Sequence, residues 1–251
     1  MSTTDEARPG SAAQTGTELI RCSGLTRVHG RGPAKVTALR DVSCVLGAGM
    51  RVALTGSSGS GKSTLLHLLA GLDRPTSGTI EWPGLGGNPF GRPGVVGMVF
   101  QGPSLLPPLD VTENVALPLL LAHVAASEAR ERALVALREV GLDGLGSRLP
   151  EELSGGQAQR VAVARALAIE PKLILADEPT GQLDSAHAQE VADLLLGAAA
   201  RLGAALVLAT HDQALAGRLP IRWRVASGRL EIASTTGATT GQPAAADRTE
   251  D

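Results

Sequence analysis

Apolar residues along the chain fall into two patterns. Residues 173–176 and 205–209 are unbroken apolar runs of strand length, and residues 50–55 hold the apolar centre Val52, Ala53 and Leu54 between Arg51 and Thr55. A strand with one wet face alternates apolar and polar positions; an unbroken run marks a strand covered on both faces, the usual state of a parallel sheet. Between these runs the period changes to that of a helix. Residues 62–71 carry Leu65, Leu66, Leu68 and Leu69, and residues 127–140 place Ala129, Ala133, Ala136, Leu137 and Val140 on one face with charges opposite. The alternation predicts an α/β fold with a mainly parallel sheet between helices.

Two regions break the alternation. Residues 78–97 are short, rich in turn residues and strand-like at their edges, which predicts a small antiparallel β subdomain. Residues 102–168 read as a helical subdomain. Residues 1–17 and 233–251 are rich in Ser, Thr, Ala and Gly, too poor in apolar material to fold alone, and read as flexible tails around one domain at 18–232. No internal repeat is evident.

Composition narrows the function. The net charge of -2 gives no global basic field of the kind nucleic-acid binders show, so no nucleic-acid partner is expected. Tyrosine is absent and aromatic residues make up 2%, so the core must be built from Ala, Leu, Val and Ile. Cys22 and Cys44 form neither a metal pattern nor a disulfide framework and read as two reduced, partly buried thiols. The N-terminus has acidic residues and no apolar stretch of the secretory kind. No uncharged apolar run reaches the ~18 residues a spanning helix needs, so attachment to a membrane would come through a partner.

The chemistry begins at Gly56, Ser57, Ser58, Gly59, Ser60, Gly61, Lys62, Ser63 and Thr64. This stretch matches G-x-x-x-x-G-K-[ST] and stands where that pattern belongs, after an apolar strand and before a helix. Glycines allow backbone angles at which successive N–H groups converge on an anion, and the helix aims its positive end at the same place. Lys62 would bring its charge to the β and γ phosphates; Ser63 would offer a hydroxyl to Mg²⁺, a cation that takes oxygen ligands. An accidental glycine-serine turn would match somewhere in a chain of this composition roughly once in two hundred times. Alone, the loop specifies only a nucleoside triphosphate.

Four further elements come after it. The run at 173–176 ends in Asp177 and Glu178. Asp177 stands at the carboxyl end of a strand, where ligands bind in such sheets, and is placed to hold Mg²⁺; Glu178 could orient or deprotonate water. An ordinary pair of helix-capping acids is the bland alternative. Ser154, Gly155, Gly156 and Gln157 open a helix, with Ser154 in the N-cap position and glycine N–H groups exposed, as in an anion site or a simple capped helix. Gln101 and His211 each come directly after a strand and point to the same crevice as the loop; a lone histidine there is more often structural.

The ordered set GSSGSGKST, Gln101, LSGGQ, LILADE, GQLD and His211, spanning residues 20–232, resembles the ATP-binding subunits of ABC transporters. LSGGQ is its specific part. The resemblance implies a P-loop NTPase core that binds and hydrolyses ATP with Mg²⁺ held by Ser63, Gln101 and Asp177. It also implies a head-to-tail pair in which Ser154, Gly155, Gly156 and Gln157 of a second copy complete each site, with Asp184 at the seam and His211 at the γ-phosphate. The stretches GSSGSGKSTLLHLLAGLDRPTSG, SLLPPLDVTENVALPL and LADEPTGQLD resemble the lipoprotein-releasing, macrolide-exporting and cell-division-associated subgroup. That implies a peripheral subunit on the cytoplasmic face of a membrane, docked to a permease near residues 103–115, and driving export or extraction. A subunit that transmits a signal across the membrane is the alternative. A soluble DNA-repair or translation ATPase is disfavoured, because the chain has no coiled-coil insertion, second ATPase domain or basic stripe.

Two departures stand out. The family stacks an aromatic ring on adenine shortly before the first long strand; here Val28 stands nearest that position, beside His29, so weak adenine discrimination is expected. The stretch between residues 78 and 101 is short for the subgroup, so its antiparallel arm is expected to be trimmed.

Overall fold

The computed structural model describes residues 17–234. Its core is a six-stranded sheet. In chain order the strands are β3 (Arg51–Thr55), β5 (Val96–Val99), β6 (Leu173–Asp177), β7 (Ala205–Ala209), β8 (Ile221–Ala226) and β9 (Arg229–Ser234). Across the sheet they run β5-β6-β7-β3-β8-β9, all parallel except the antiparallel edge strand β9. Residue parity explains the unbroken apolar runs. Leu173, Leu175, Ala205, Val207, Val52 and Leu54 enter one buried cluster; Ile174, Ala176, Leu206, Leu208 and Ala53 enter another on the opposite face.

Each face has its own cover. One carries the helices α2 (Val111–Leu121), α3 (Ala126–Glu139), α4 (Gly155–Leu167) and α5 (Ser185–Leu202). All five residues expected on the inner face of α3 and at its end are at most 5% exposed. The other face carries α1 (Lys62–Leu69), whose four leucines are fully buried, and a separate antiparallel sheet. A short helix, α6 (Gln213–Gly217), comes after β7.

The antiparallel sheet corrects the sequence reading. It consists of β1 (Glu18–His29), β2 (Val36–Gly47) and β4 (Ser77–Glu81), in the order β2-β1-β4. The expected region 78–97 supplies only β4; beyond that strand the chain passes through turns and a 3-10 turn at Pro83–Leu85 into β5. The long hairpin β1–β2 was hidden because its alternation is broken by bulges at four points of its register. The domain limit also moves. Ala233 and Ser234 pair with Arg222 and Ile221, so they belong to the sheet and not to a tail. The rest of the expected tails, apart from Thr17, lies outside the described residues. Among the described residues no helix is long and apolar enough to cross a membrane.

Candidate functional site

The site is built where β3 and β6 end. After β3 the chain turns through the glycine-rich loop into α1. Gly61, at φ 115°, sits so close to the carbonyl of Ala38 that a Cβ would collide with it; only glycine fits. It is also the residue that opens α1, and no side chain caps that helix. The first N–H groups of α1 therefore have no intrahelical acceptor and remain available to a ligand.

Lys62 is the first residue of α1 and is only 5% exposed. Its Nζ donates to Gly56 O at 2.9 Å and Ser57 O at 3.1 Å and lies 3.2 Å from Glu178 Oε1. A buried ammonium needs such partners, because desolvation alone would disfavour its charge. Ser58, Gly59, Gly61, Lys62, Ser63 and Thr64 share a cleft of about 260 Å³ with Ala38, Gln101, Asp177 and Glu178. Gly56 and Ser57 instead border an adjoining groove with His211, and Ser60 is buried beneath the loop with Gly56 packed on its hydroxyl.

Glu178, directly after β6, adopts a left-handed conformation, φ 46°. For a residue with a side chain this costs about 1–3 kcal/mol, and its surroundings must impose it. They do: its N–H donates to Ala209 O at 3.0 Å, its carbonyl accepts from Gly181 N at 3.1 Å, and its two carboxylate oxygens face Lys62 and His211 Nδ1, the latter at 3.4 Å. The bland reading of Asp177 and Glu178 as capping acids fails, since Asp177 ends a strand and the acid that caps the next helix is Asp184. The cleft thus gathers a buried cation, uncapped helix N–H groups and the side chains of Ser63, Gln101 and Asp177. Hydroxyl, amide and carboxylate oxygens are the donors a magnesium ion accepts, so the residues fit both a polyphosphate and that ion.

Ser154, Gly155, Gly156 and Gln157 lie outside this cleft. Ser154 caps α4 through a complete capping box: its Oγ accepts from Gln157 N at 3.2 Å and its N–H donates to Gln157 Oε1 at 2.9 Å. Ser154 and Gly155 are exposed. Asp184 is next to them in space. It caps α5 and holds His187 Nδ1 at 2.6 Å, and the His187 ring packs on Gly156 so closely that a Cβ there would come within 2.9 Å of it. The Asp184 carboxyl is held below the usual range, chiefly by the His187 backbone N–H and then by the His187 ring.

Val28 does not line the cleft. It pairs with Thr37 on β2, is half-buried and binds Thr76 Oγ1 through its N–H. His29, opposite Val36, is exposed. Three supporting residues escaped the sequence reading. Gln159, 2% exposed on α4, donates to Phe100 O at 3.1 Å, and Arg165 on the same helix grips Ser104 O and Pro103 O at 2.9 and 3.1 Å. Burial pulls the Arg165 pKa below its ordinary value. Asn114, fully buried, binds Leu106 N and the carbonyls of Leu106, Leu109 and Asp110, setting the loop ahead of α2. The signal for Gln159 and Asn114 was a polar residue at a position the helical period buries.

Comparison with known proteins agrees with this geometry. Residues 39–181 match the ABC transporter family model. The lipoprotein-releasing system ATP-binding protein LolD of Chromohalobacter salexigens is 43% identical over 219 residues, covering 84% of this chain and 92% of that protein. A dimeric post-hydrolysis structure of the ATP-binding cassette MJ0796, bound to ADP and Pi, superposes with a TM-score of 0.80 at 33% identity, covering 88% of this chain and all of that one. A dimeric structure of MJ0796, described as a bacterial ABC transporter cassette, superposes at 0.79 with the same identity and coverage. A phosphate loop whose buried lysine meets a strained acid at the end of β6 is thus found within a chain that belongs to the ABC transporter family, as an ATP-binding and ATP-hydrolysing cassette.

Proposed function

We propose that two copies of this chain sandwich two ATP molecules head to tail and drive a separate membrane permease, in export or extraction from the membrane. The observation that carries the reading is the split of the site. The phosphate loop is assembled and lined, whereas Ser154 and Gly155 present a rigid, exposed glycine turn with nothing of the cleft around it. The dimeric form of the MJ0796 cassettes and the lipoprotein-releasing role of the LolD relative support the pairing and the subgroup.

In this reading the loop N–H groups and Lys62 hold the phosphates. Phosphate oxygens replace the carbonyls and the Glu178 carboxylate that hold Lys62 at rest, which releases Glu178. Glu178 then takes a proton from a water as that water's oxygen attacks the γ-phosphorus; the bond to the β–γ bridging oxygen breaks and ADP leaves. His211 orients Glu178 and the γ-phosphate. Ser63, Asp177 and Gln101 hold the magnesium ion, which supplies charge neutralisation at the phosphates. Ser154, Gly155, Gly156 and Gln157 close the site from the second copy, with Asp184 at the seam. On the base side the exposed His29 is open to the adenine, whereas Val28 is half-buried with its N–H bound to Thr76 Oγ1.

A groove of about 540 Å³ beside residues 103–115 suits the permease. Phe90, Leu72, Leu106 and Leu121 line it and are 66, 50, 42 and 59% exposed. An apolar surface of this kind marks an interaction site. Attachment there would hold the subunit at the cytoplasmic face. Purifying Glu178→Gln from membranes with ATP tests the reading. Recovery of a dimer with a multi-span membrane protein supports it; a lone monomer that binds ATP sinks it.

A further inference from the structure

We propose that Cys22 and Cys44 form an intramolecular disulfide when the protein meets a hydroperoxide, stapling the β1–β2 hairpin. The two residues are direct register partners in the antiparallel pair, 3% and 6% exposed, and both are free thiols in the same buried cluster. Partners of this kind point to the same side of the sheet with Cβ atoms about 4.5–5.5 Å apart. A disulfide needs about 3.5–4.5 Å, so closure asks for an approach of about 1 Å. Slack is at hand. A register shift begins directly after Cys22, and Gly24 and Asp41 beside it are both in the left-handed region, at φ 61° and 52°. The pair lies outside the nucleotide cleft.

The hydrogen bond to Cys44, and after it burial, raises the Cys22 thiol above its ordinary range. The sulfur that first loses its proton attacks the hydroperoxide oxygen, the O–O bond breaks, and the displaced oxygen takes a proton and leaves as water or an alcohol. The other sulfur then attacks the resulting sulfenic acid. The S–S bond forms, the S–O bond breaks, and the departing hydroxide leaves as water with the second thiol's proton. Two thiols lose two electrons and the peroxide gains them.

The test treats the reduced full chain with hydrogen peroxide, then alkylates with iodoacetamide under denaturing conditions. The expected product carries no alkyl group, is lighter by two hydrogens, and yields one crosslinked peptide pair holding Cys22 and Cys44; dithiothreitol reverses it. Its unfolding midpoint should rise by about 5–10 °C. Cys22→Ser and Cys44→Ser should each abolish the crosslinked pair and the rise in midpoint. If both thiols stay alkylatable, if chains crosslink to one another, or if the oxidised chain unfolds no later than the reduced one, the proposal falls. The wild-type peptide map decides the matter even where a serine variant fails to fold.

Discussion

Two glycine-rich turns in this chain look alike as sequence and differ in every physical respect. The loop that ends at Gly61 opens α1 without any side-chain cap, so its N–H groups wait for an outside acceptor, and its lysine is buried against backbone carbonyls and Glu178. The turn at Ser154 opens α4 with a full capping box, so two of its N–H groups are already bound, and it faces solvent. The first is a receptor that a ligand must complete. The second is a finished shape that has nothing of its own to receive and is presented outward. A chain that carries one of each suits the reciprocal pair proposed above.

The sharpest test of the receptor half is Glu178. Glu178→Gln keeps the shape and loses the base, and hydrolysis should fall by about 10²–10⁴-fold while ATP binding survives. Steady-state phosphate release against ATP-binding affinity measures the split. Equal losses of both would show that Glu178 serves to hold nucleotide instead.

The presented half is tested by complementation. Lys62→Ala and Ser154→Arg should each be inactive alone. Mixed in equal amounts, half the dimers are mixed, and each mixed dimer has one of its two sites made entirely from intact parts. About a quarter of wild-type hydrolysis should return. No recovery, with both variants folded, would mean that Ser154 serves its own chain's cleft.

Much of this contrast was legible in the sequence, for a physical reason. Phosphate binding and helix capping are local: glycine spacing, a lysine at a helix start and a serine three residues before a glutamine act within one turn of chain. The two-sided burial of the core strands was equally plain, because parity plays out over five residues. What could not be read is set by distant partners. The β1–β2 hairpin hides its alternation behind bulges. β8 carries Arg222 and Arg224 amid apolar residues and looks like a charged surface until β3 pairs with it. Which of Val28 and His29 stands open was equally hidden: strand pairing leaves Val28 half-buried and His29 exposed.

The two halves are also joined within one chain. Gln159 stands two residues past Gln157 and holds Phe100 O, the carbonyl just before Gln101. Gln159→Leu would leave that carbonyl without its donor, at about 1–3 kcal/mol of stability. A fall in kcat beyond what the lost stability explains, with ATP affinity retained, would show that α4 positions Gln101. Unchanged turnover per folded molecule would make Gln159 a packing residue only. On the base side the effect is smaller. Base stacking on an aromatic ring is worth roughly 1–3 kcal/mol where it is complete. His29→Tyr should tighten ATP by up to about tenfold and GTP less, whereas Val28→Tyr should give no selective gain. Competition between ATP and GTP distinguishes them.

The smallest expected effect lies at Asp184, at the proposed seam. Asp184 caps α5 with its ionised carboxylate, accepting from His187 N and Ala186 N, and the His187 N–H, followed by the His187 ring, holds its folded pKa below the ordinary 3.8. A carboxyl whose folded pKa is depressed contributes stability above its unfolded pKa and loses it as pH falls through the folded one. The contribution should therefore be complete near neutrality and fade below about pH 4. Asp184→Asn keeps an acceptor for the cap but cannot ionise, so the midpoints of wild type and variant, apart at pH 7, should draw together as the pH is lowered to about 3. Because the carboxylate is exposed, water screens it and the gap at neutral pH should be slight. A gap that stays constant across that range would show that charge at Asp184 adds nothing to folding, and would leave its place beside the exposed turn as the reason for an acid there.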